Sequence, residues 1–299
     1  MDKQHIEYLT PKMLKSDEPI WVNPVGGFGD IIMLSTAMKR SFDKYGKQFN
    51  VARRAQYTEF LTGHPAVAQI GHPPMGCNLV CNDYWMRSEY ADKNTKALQI
   101  VLKIFGIADD ENDELYLSNT DDGAATKLIL ENIPWGKHNV VIACSSESPR
   151  KMMHPIKWHI IVDKLIRQQC FVIQVGKGSE IPIIGTYSLL GATRPLQLIE
   201  ILKKADLVIT LDNYVMHASK LVNVPAISLF GPTPAWRYGY NGNFNVQADI
   251  SHCPEADKCL GPHVSDNYST MCPLAEHYCM NQLDEGKIVD MAMTILNKK

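Results

Sequence analysis

Ile20-Trp21-Val22-Asn23-Pro24-Val25-Gly26-Gly27-Phe28-Gly29-Asp30 is the stretch on which the reading of this chain turns. The apolar run from Ile20 to Val25 has the pattern of a short buried strand. From Ile31 to Tyr45, the residues Ile31, Leu34, Met38 and Phe42 fall near one face of a helix. A strand, a glycine-rich turn and a helix in that order open a β-α-β unit. Gly26, Gly27 and Gly29 permit positive φ and close backbone approach. The helix start beyond them offers N–H groups and a positive dipole end, so the turn could cradle a phosphate or a sugar. It lacks the three-glycine dinucleotide spacing and a following P-loop lysine, so a plain tight turn fits equally. Asp30 also has two readings. It can be a charge partner of the helix N-terminus, or a general base at the mouth of a cleft.

The same alternation runs along the rest of the chain. Gln48 to Arg53 and Asn78 to Cys81 read as strands, and Lys96 to Phe105 as a helix. An acidic, polar stretch between Asp109 and Asp122 is the expected crossing between domains. The pattern then restarts: strand Asn139–Cys144, helix Trp158–Gln168, strand Phe171–Val175, helix Pro195–Lys204. Strand Leu207–Leu211, helix Tyr214–Val222 and strand Ala226–Phe230 follow, with a last amphipathic helix from Gly286 to Asn297. Two successive series predict an α/β protein of two parallel-sheet, Rossmann-like domains facing across a cleft. The expected boundaries are 1–118 and 119–283, with residues 284–299 a terminal helix that could pack back on the first domain. Ligands of such sheets bind beyond the carboxyl ends of the strands. The loops after Val25, Cys144, Val175, Leu211 and Phe230 are therefore the ones to watch.

Length and composition agree. The 299 residues suit two domains, with 45% apolar and 21% charged side chains. The 30 basic and 32 acidic groups leave a formal net charge of −2, without the basic excess of a nucleic-acid-binding protein. Met1 to Pro19 is polar, unlike a signal peptide, and no apolar run is long enough to span a bilayer. The expectation is a cytoplasmic protein with at most peripheral membrane association.

Two loops of the second half carry candidate chemistry. Ser145-Ser146-Glu147-Ser148-Pro149-Arg150-Lys151 puts hydroxyls and two cations at a strand's end, which suits a diphosphate or a solvated loop. In Leu211-Asp212-Asn213-Tyr214-Val215-Met216-His217-Ala218 a strand ends in two polar residues and a helix begins. Asp212 can cap that helix, or with Met216 and His217 line a nucleotide site. Gly231 and Thr233, in the turn Phe230-Gly231-Pro232-Thr233-Pro234, lie at the same edge. Later, Cys253, Cys259, Cys272 and Cys279 fall within 27 residues, beside His252, His263 and His277. Four soft ligands can make a structural zinc or iron site, although none forms a CxxC pair. Cys77 and Cys81 read as packing residues.

The order of these segments resembles glycosyltransferase family 9, the heptosyltransferases. Gly27-Phe28-Gly29-Asp30 is similar to the family's Gly-small-Gly-Asp turn. Arg150 to Trp158 is similar to its Lys-x-Trp-Pro segment, though displaced. Asp212, His217 and Ala218 match its Asp-Ser-Gly-x-x-His-x-Ala segment, and Phe230 to Thr233 keep its Phe-Gly-Pro-Thr turn. The resemblance covers roughly residues 20 to 283. It implies a GT-B fold and transfer with inversion at the anomeric carbon, with no metal needed for catalysis. It also implies a nucleotide-sugar donor, most simply an ADP-activated heptose, and work on lipopolysaccharide or another cell-envelope glycan. The acceptor could be a glycan, a lipid-linked sugar or a protein. By position, Asp30 would be the base. Lys151, or Arg150 one residue away, would hold the diphosphate. Ser145, Asp212, Met216, His217, Gly231 and Thr233 would bind the nucleotide sugar. Relatives that glycosylate proteins imply iron at the late cysteines. Asn213-Tyr214 replaces Ser-Gly, setting a bulky ring where the family keeps backbone room. That departure keeps open a non-catalytic sugar-nucleotide scaffold or a sugar epimerase.

Overall fold

The computed structural model describes residues 4–108, 110–256, 259, 269–274 and 278–298. The chain divides into two units, 1–120 and 121–299. In the first, strands β1 (Gln4–Ile6), β2 (Ile20–Asn23), β3 (Phe49–Ala52), β4 (Val67–Gly71) and β5 (Asn78–Cys81) form one sheet. Its order is β1-β5-β2-β3-β4, and every pairing is parallel. Helices α1 (Pro11–Leu14), α2 (Phe28–Tyr45), α3 (Thr58–Leu61) and α4 (Ala97–Ile104) accompany it.

The second unit opens with α5 (Ala124–Asn132). Six parallel strands follow: β6 (His138–Ala143), β7 (Cys170–Gly176), β8 (Tyr187–Leu190), β9 (Leu207–Leu211), β10 (Ala226–Phe230) and β11 (Phe244–Gln247). Their order is β11-β10-β9-β6-β7-β8. Between them run α6 (Pro155–Arg167), α7 (Pro195–Leu202), α8 (Tyr214–Leu221) and α9 (Ala235–Tyr238), and α10 (Glu285–Leu296) follows.

Every residue of β9 and β10 is buried, as expected for parallel strands covered on both faces. One core joins Val140, Ile142, Ile209 and Leu211 of the sheet to Trp158, Ile161 and Leu165 of α6. Ile288, Ala292 and Leu296 of α10 enter the same core, so the last helix packs within the second unit. Full burial of each large side chain there stabilises the fold by about 1.5–3 kcal/mol.

Several elements start or stop away from where apolar periodicity puts them, each for a local reason. Helix α2 begins at Phe28 rather than Ile31. The Gly27 N–H donates to Asp30 Oδ2 at 2.7 Å, half of a capping box that satisfies an orphan donor. Helix α6 begins at Pro155 rather than Trp158, with proline in its first turn and His154 Nδ1 accepting from the Ile156 N–H at 3.3 Å. Strand β2 stops at Asn23 instead of Val25. The Asn82 side chain takes both polar groups of Val25, accepting from its N–H at 2.9 Å and donating to its carbonyl at 3.0 Å. Among the described residues no helix is long and apolar enough to cross a membrane.

Candidate active site

Strand order places the candidate sites. In the first sheet the chain steps from β2 to β3 and β4, then returns to β5 on the other side of β2. In the second it steps from β6 to β7 and β8, then returns to β9 on the other side of β6. At such switch points the loops leave the sheet in opposite directions, and a crevice opens beyond the carboxyl ends. The first crevice holds the Gly26–Asp30 turn and Asn82. The second holds Ser145, Ser146, Asp212 and Asn213.

The first turn is tightly built. Gly26 has φ of +96°, and a Cβ there would sit 2.3 Å from Asp30 Oδ2, so only glycine fits. Tyr57 donates its hydroxyl to the Gly26 carbonyl. Phe28 stacks on Phe60 at 5.2 Å and meets Tyr57 edge-on at 6.2 Å. Gly29 is buried in the first turn of α2. The Asp30 carboxylate caps the start of α2 at the end of β2, as the charge-partner reading expects. Beside it, Arg54 donates to Asn23 Oδ1 at 2.9 Å, and Asn23 donates to Cys81 Sγ at 3.6 Å.

In the second crevice Lys151 Nζ donates to Asp212 Oδ2 at 2.9 Å and lies 3.3 Å from the Asp212 carbonyl. Burial works to raise the Asp212 pKa, but the Lys151 charge, the Thr233 hydroxyl and His217 outweigh it and hold the carboxyl below its usual value. Burial pushes His217 down to about 4, against the pull of Asp212, so its imidazole is neutral at pH 7. His217 Nδ1 lies 2.6 Å from the Tyr240 hydroxyl. Met216 is fully buried. Asn213 caps α8: its Oδ1 accepts from the Val215 N–H at 2.8 Å and the Thr210 hydroxyl at 2.9 Å. Its Nδ2 donates to the Ser145 carbonyl at 2.8 Å, tying the two sides of the crevice together. The Tyr214 hydroxyl donates to the Pro195 carbonyl at 2.7 Å, which anchors that ring against the start of α7.

Arg150 turns away from its neighbour. Its buried guanidinium donates to Thr270 Oγ1 at 2.9 Å and to Cys259 Sγ at 3.3 Å. Lys151 is therefore the cation beside Asp212. Gly231 fits for a packing reason, since a Cβ there would lie 2.2 Å from Met280 Sδ and 3.0 Å from Cys279 Sγ. Burial, then the nearby thiols of Cys259, Cys253 and Cys272, push Cys279 up to about 12. The four late thiols therefore share one neighbourhood, a donor set of the softness that suits zinc or iron. Among the described residues, no three of these sulfurs lie within 4.8 Å of one another. His263 and His277 lie outside the described residues.

Residues 92–260 match the model of glycosyltransferase family 9 (heptosyltransferase). The chain belongs to glycosyltransferase family 9. The match includes every second-unit residue named above up to Cys259, whereas the Gly26–Asp30 turn lies outside it. No curated protein matches the sequence. Solved structures match over nearly the whole chain. A family 9 glycosyltransferase from Veillonella parvula is 13% identical with a TM-score of 0.70, covering 96% of this chain and 99% of that one. TibC, the iron-containing dodecameric glycosyltransferase of enterotoxigenic E. coli H10407, is 15% identical with a TM-score of 0.70, covering 95% and 77%. ADP-heptose lipopolysaccharide heptosyltransferase II of E. coli is 13% identical with a TM-score of 0.61, covering 94% and 99%. These likenesses assign the α/β fold to the GT-B heptosyltransferase type. This family 9 protein is thus a glycosyltransferase.

Sequence reading of the glycosyltransferase missed Asn82 and Tyr57, which hold the first turn, and the Arg54–Asn23 pair beside it. The one available signal for Asn82 was a polar Asn-Asp pair directly after a strand.

Proposed function

We propose that the protein is an inverting glycosyltransferase that moves heptose or a related sugar from a nucleoside diphosphate, ADP in the simplest case. The acceptor is a hydroxyl on a glycan, a lipid-linked sugar or a protein. The observation that carries this reading is the Lys151–Asp212 pair at a switch point, beside the capped N-terminus of α8. The ammonium and the helix dipole both favour a diphosphate there. TibC has been solved with ADP-D-β-D-heptose, which supports the choice of donor.

In this reading Asp30 takes the proton from the acceptor hydroxyl as its oxygen attacks the anomeric carbon, and the diphosphate leaves. Lys151 and α8 stabilise the growing negative charge on the leaving group. Asp212 sets the place of the ammonium. His217, neutral at pH 7, serves as a hydrogen-bonding group rather than an acid. Ser145, Gly231 and Thr233 shape the second crevice, where the donor binds. Asp30 accepts from the Gly27 backbone N–H, which fixes the direction of its carboxylate.

The deciding experiment follows sugar transfer from ADP-, UDP- and GDP-heptose across acceptors, with the anomeric configuration of the product read by NMR. Asp30→Asn keeps most of the cap and should lower kcat by about 10²–10⁴-fold, the usual worth of a general base. Transfer undiminished in that variant would remove Asp30 from the role. Nucleoside diphosphate released without a transferred sugar would favour an epimerase.

The late thiols, in this proposal, hold a structural iron or zinc ion. Their shared neighbourhood and the iron of TibC support it.

A further inference from the structure

We propose that His5, Cys81 and Asp83 form a binding site for a divalent transition-metal cation of the zinc class, at the carboxyl edge of the first sheet. The three side chains come from two elements that parallel pairing brings together. His5 on β1 stands in register with Leu79 on β5. Side chains alternate along a strand, so Leu79 and Cys81 share a face and His5 is on it. Asp83 follows two residues on. One imidazole nitrogen, one sulfur and one carboxylate oxygen lie within 4.8 Å of one another.

The distances need little adjustment. Zinc bonds of about 2.0–2.3 Å place tetrahedral ligands roughly 3.3–3.8 Å apart. His5 Nε2 and Asp83 Oδ2 are already 4.0 Å apart. A closure of at most roughly 1.5 Å therefore completes the geometry. One nitrogen, one sulfur and one oxygen is a mixed set that suits a borderline-soft ion better than calcium or magnesium.

The surroundings resemble the outer shell of a metal site. Arg87, itself buried, donates to Asp83 Oδ1 at 2.5 Å, leaving Oδ2 turned toward His5. Asn23 donates to Cys81 Sγ at 3.6 Å. Such partners fix ligand orientation, and their loss typically weakens metal binding 10–100-fold. The His5 side chain is 48% exposed, so an ion can enter and a water can hold the fourth position. On binding, the Cys81 thiol gives its proton to solvent and its sulfur pair to the ion.

The site has a mechanical role. β1 is only three residues long and lies at the edge of the sheet. An ion would staple it to the end of β5. Asn82, between two of the ligands, is the residue that clamps Val25 at the glycine turn. Metal binding here stiffens the segment from which Asp30 hangs.

The test uses the full chain, freed of metal and titrated with Co2+ alone, then Zn2+ alone. Wild type should bind one more equivalent than His5→Ala, with a sulfur-to-cobalt charge-transfer band that is weaker by that equivalent in both His5→Ala and Cys81→Ser. Asp83→Asn should weaken binding at least tenfold. Zn2+ should raise Tm in wild type by more than in His5→Ala. Because His5 is exposed, its alanine variant does not threaten folding. Equal stoichiometry, affinity and spectrum in wild type, His5→Ala and Cys81→Ser would overturn the site, whatever metal the late cysteines hold.

Discussion

His64 shows how one buried side chain sets a pH response. Its Nδ1 accepts from the Ala66 N–H at 3.0 Å, so Nε2 carries the proton and donates to the Ser35 carbonyl at 3.0 Å. A second proton would set a donor against the Ala66 donor. Burial pushes its pKa down to about 4, and burial does the same to His217. Unfolded, each titrates near 6.5, so between those values the unfolded chain binds more protons than the folded one. Stability is therefore full above pH 6.5 and falls as the pH drops toward 4, by up to about 3 kcal/mol per histidine. Urea unfolding at pH 7.5 and pH 5 should show that loss, with the His64 ring signals still neutral at pH 5 by NMR. Flat stability across this range would contradict the burial argument.

At the scale of elements, Asn213 joins three pieces of the second unit: the end of β9 through Thr210, the start of α8 through Val215, and the loop after β6 through Ser145. Asn213→Ala should cost about 1–2 kcal/mol from the lost cap, and more from the orphaned Ser145 and Thr210 groups. Asn213→Ser should recover the cap but not the Ser145 link. Chemical unfolding of the two variants separates these contributions, and donor affinity by calorimetry should follow the Ser145 link. Much at this scale was legible in the sequence. The strand and turn at Ile20–Asp30, and strands β6, β7, β9 and β10, stood out because buried parallel strands are continuous apolar runs. Strands β1, β4, β8 and β11 were not legible. They are the edge strands of the two sheets; none of β4 is buried, β8 has one buried residue and β11 is largely exposed, so no continuous apolar run marks them. The crevices were half legible: the strand-end loops could be ranked, but the switch points depend on which strands pair. At the Asn213-Tyr214 departure from Ser-Gly, Asn213 caps α8 and the Tyr214 hydroxyl is tied to Pro195.

Across the whole molecule, each unit repeats one plan, a parallel sheet that reverses its winding beside its first central strand. The candidate chemistry falls at both reversals, and Cys81 and Asp83 flank Asn82 at the first of them. Purified chain should carry an equivalent of iron or zinc that is lost in Cys272→Ser, read by elemental analysis. Unchanged metal content in that variant would remove the late cysteines as ligands. Lys157 also braces α10, donating to the Leu283 carbonyl and Glu285 Oε1, each at 2.6 Å, so the last helix closes the core beside the cysteine segment.

Arg150 and Lys151 share one turn of three residues, Pro149–Lys151, yet they are moored to different things. The first is hooked to Cys259 and Thr270, the second to Asp212. A single peptide bond joins the two moorings. Oxidation, alkylation or metal capture at the Cys259 sulfur would remove one of the hydrogen bonds that hold Arg150, on the same three-residue turn that carries Lys151.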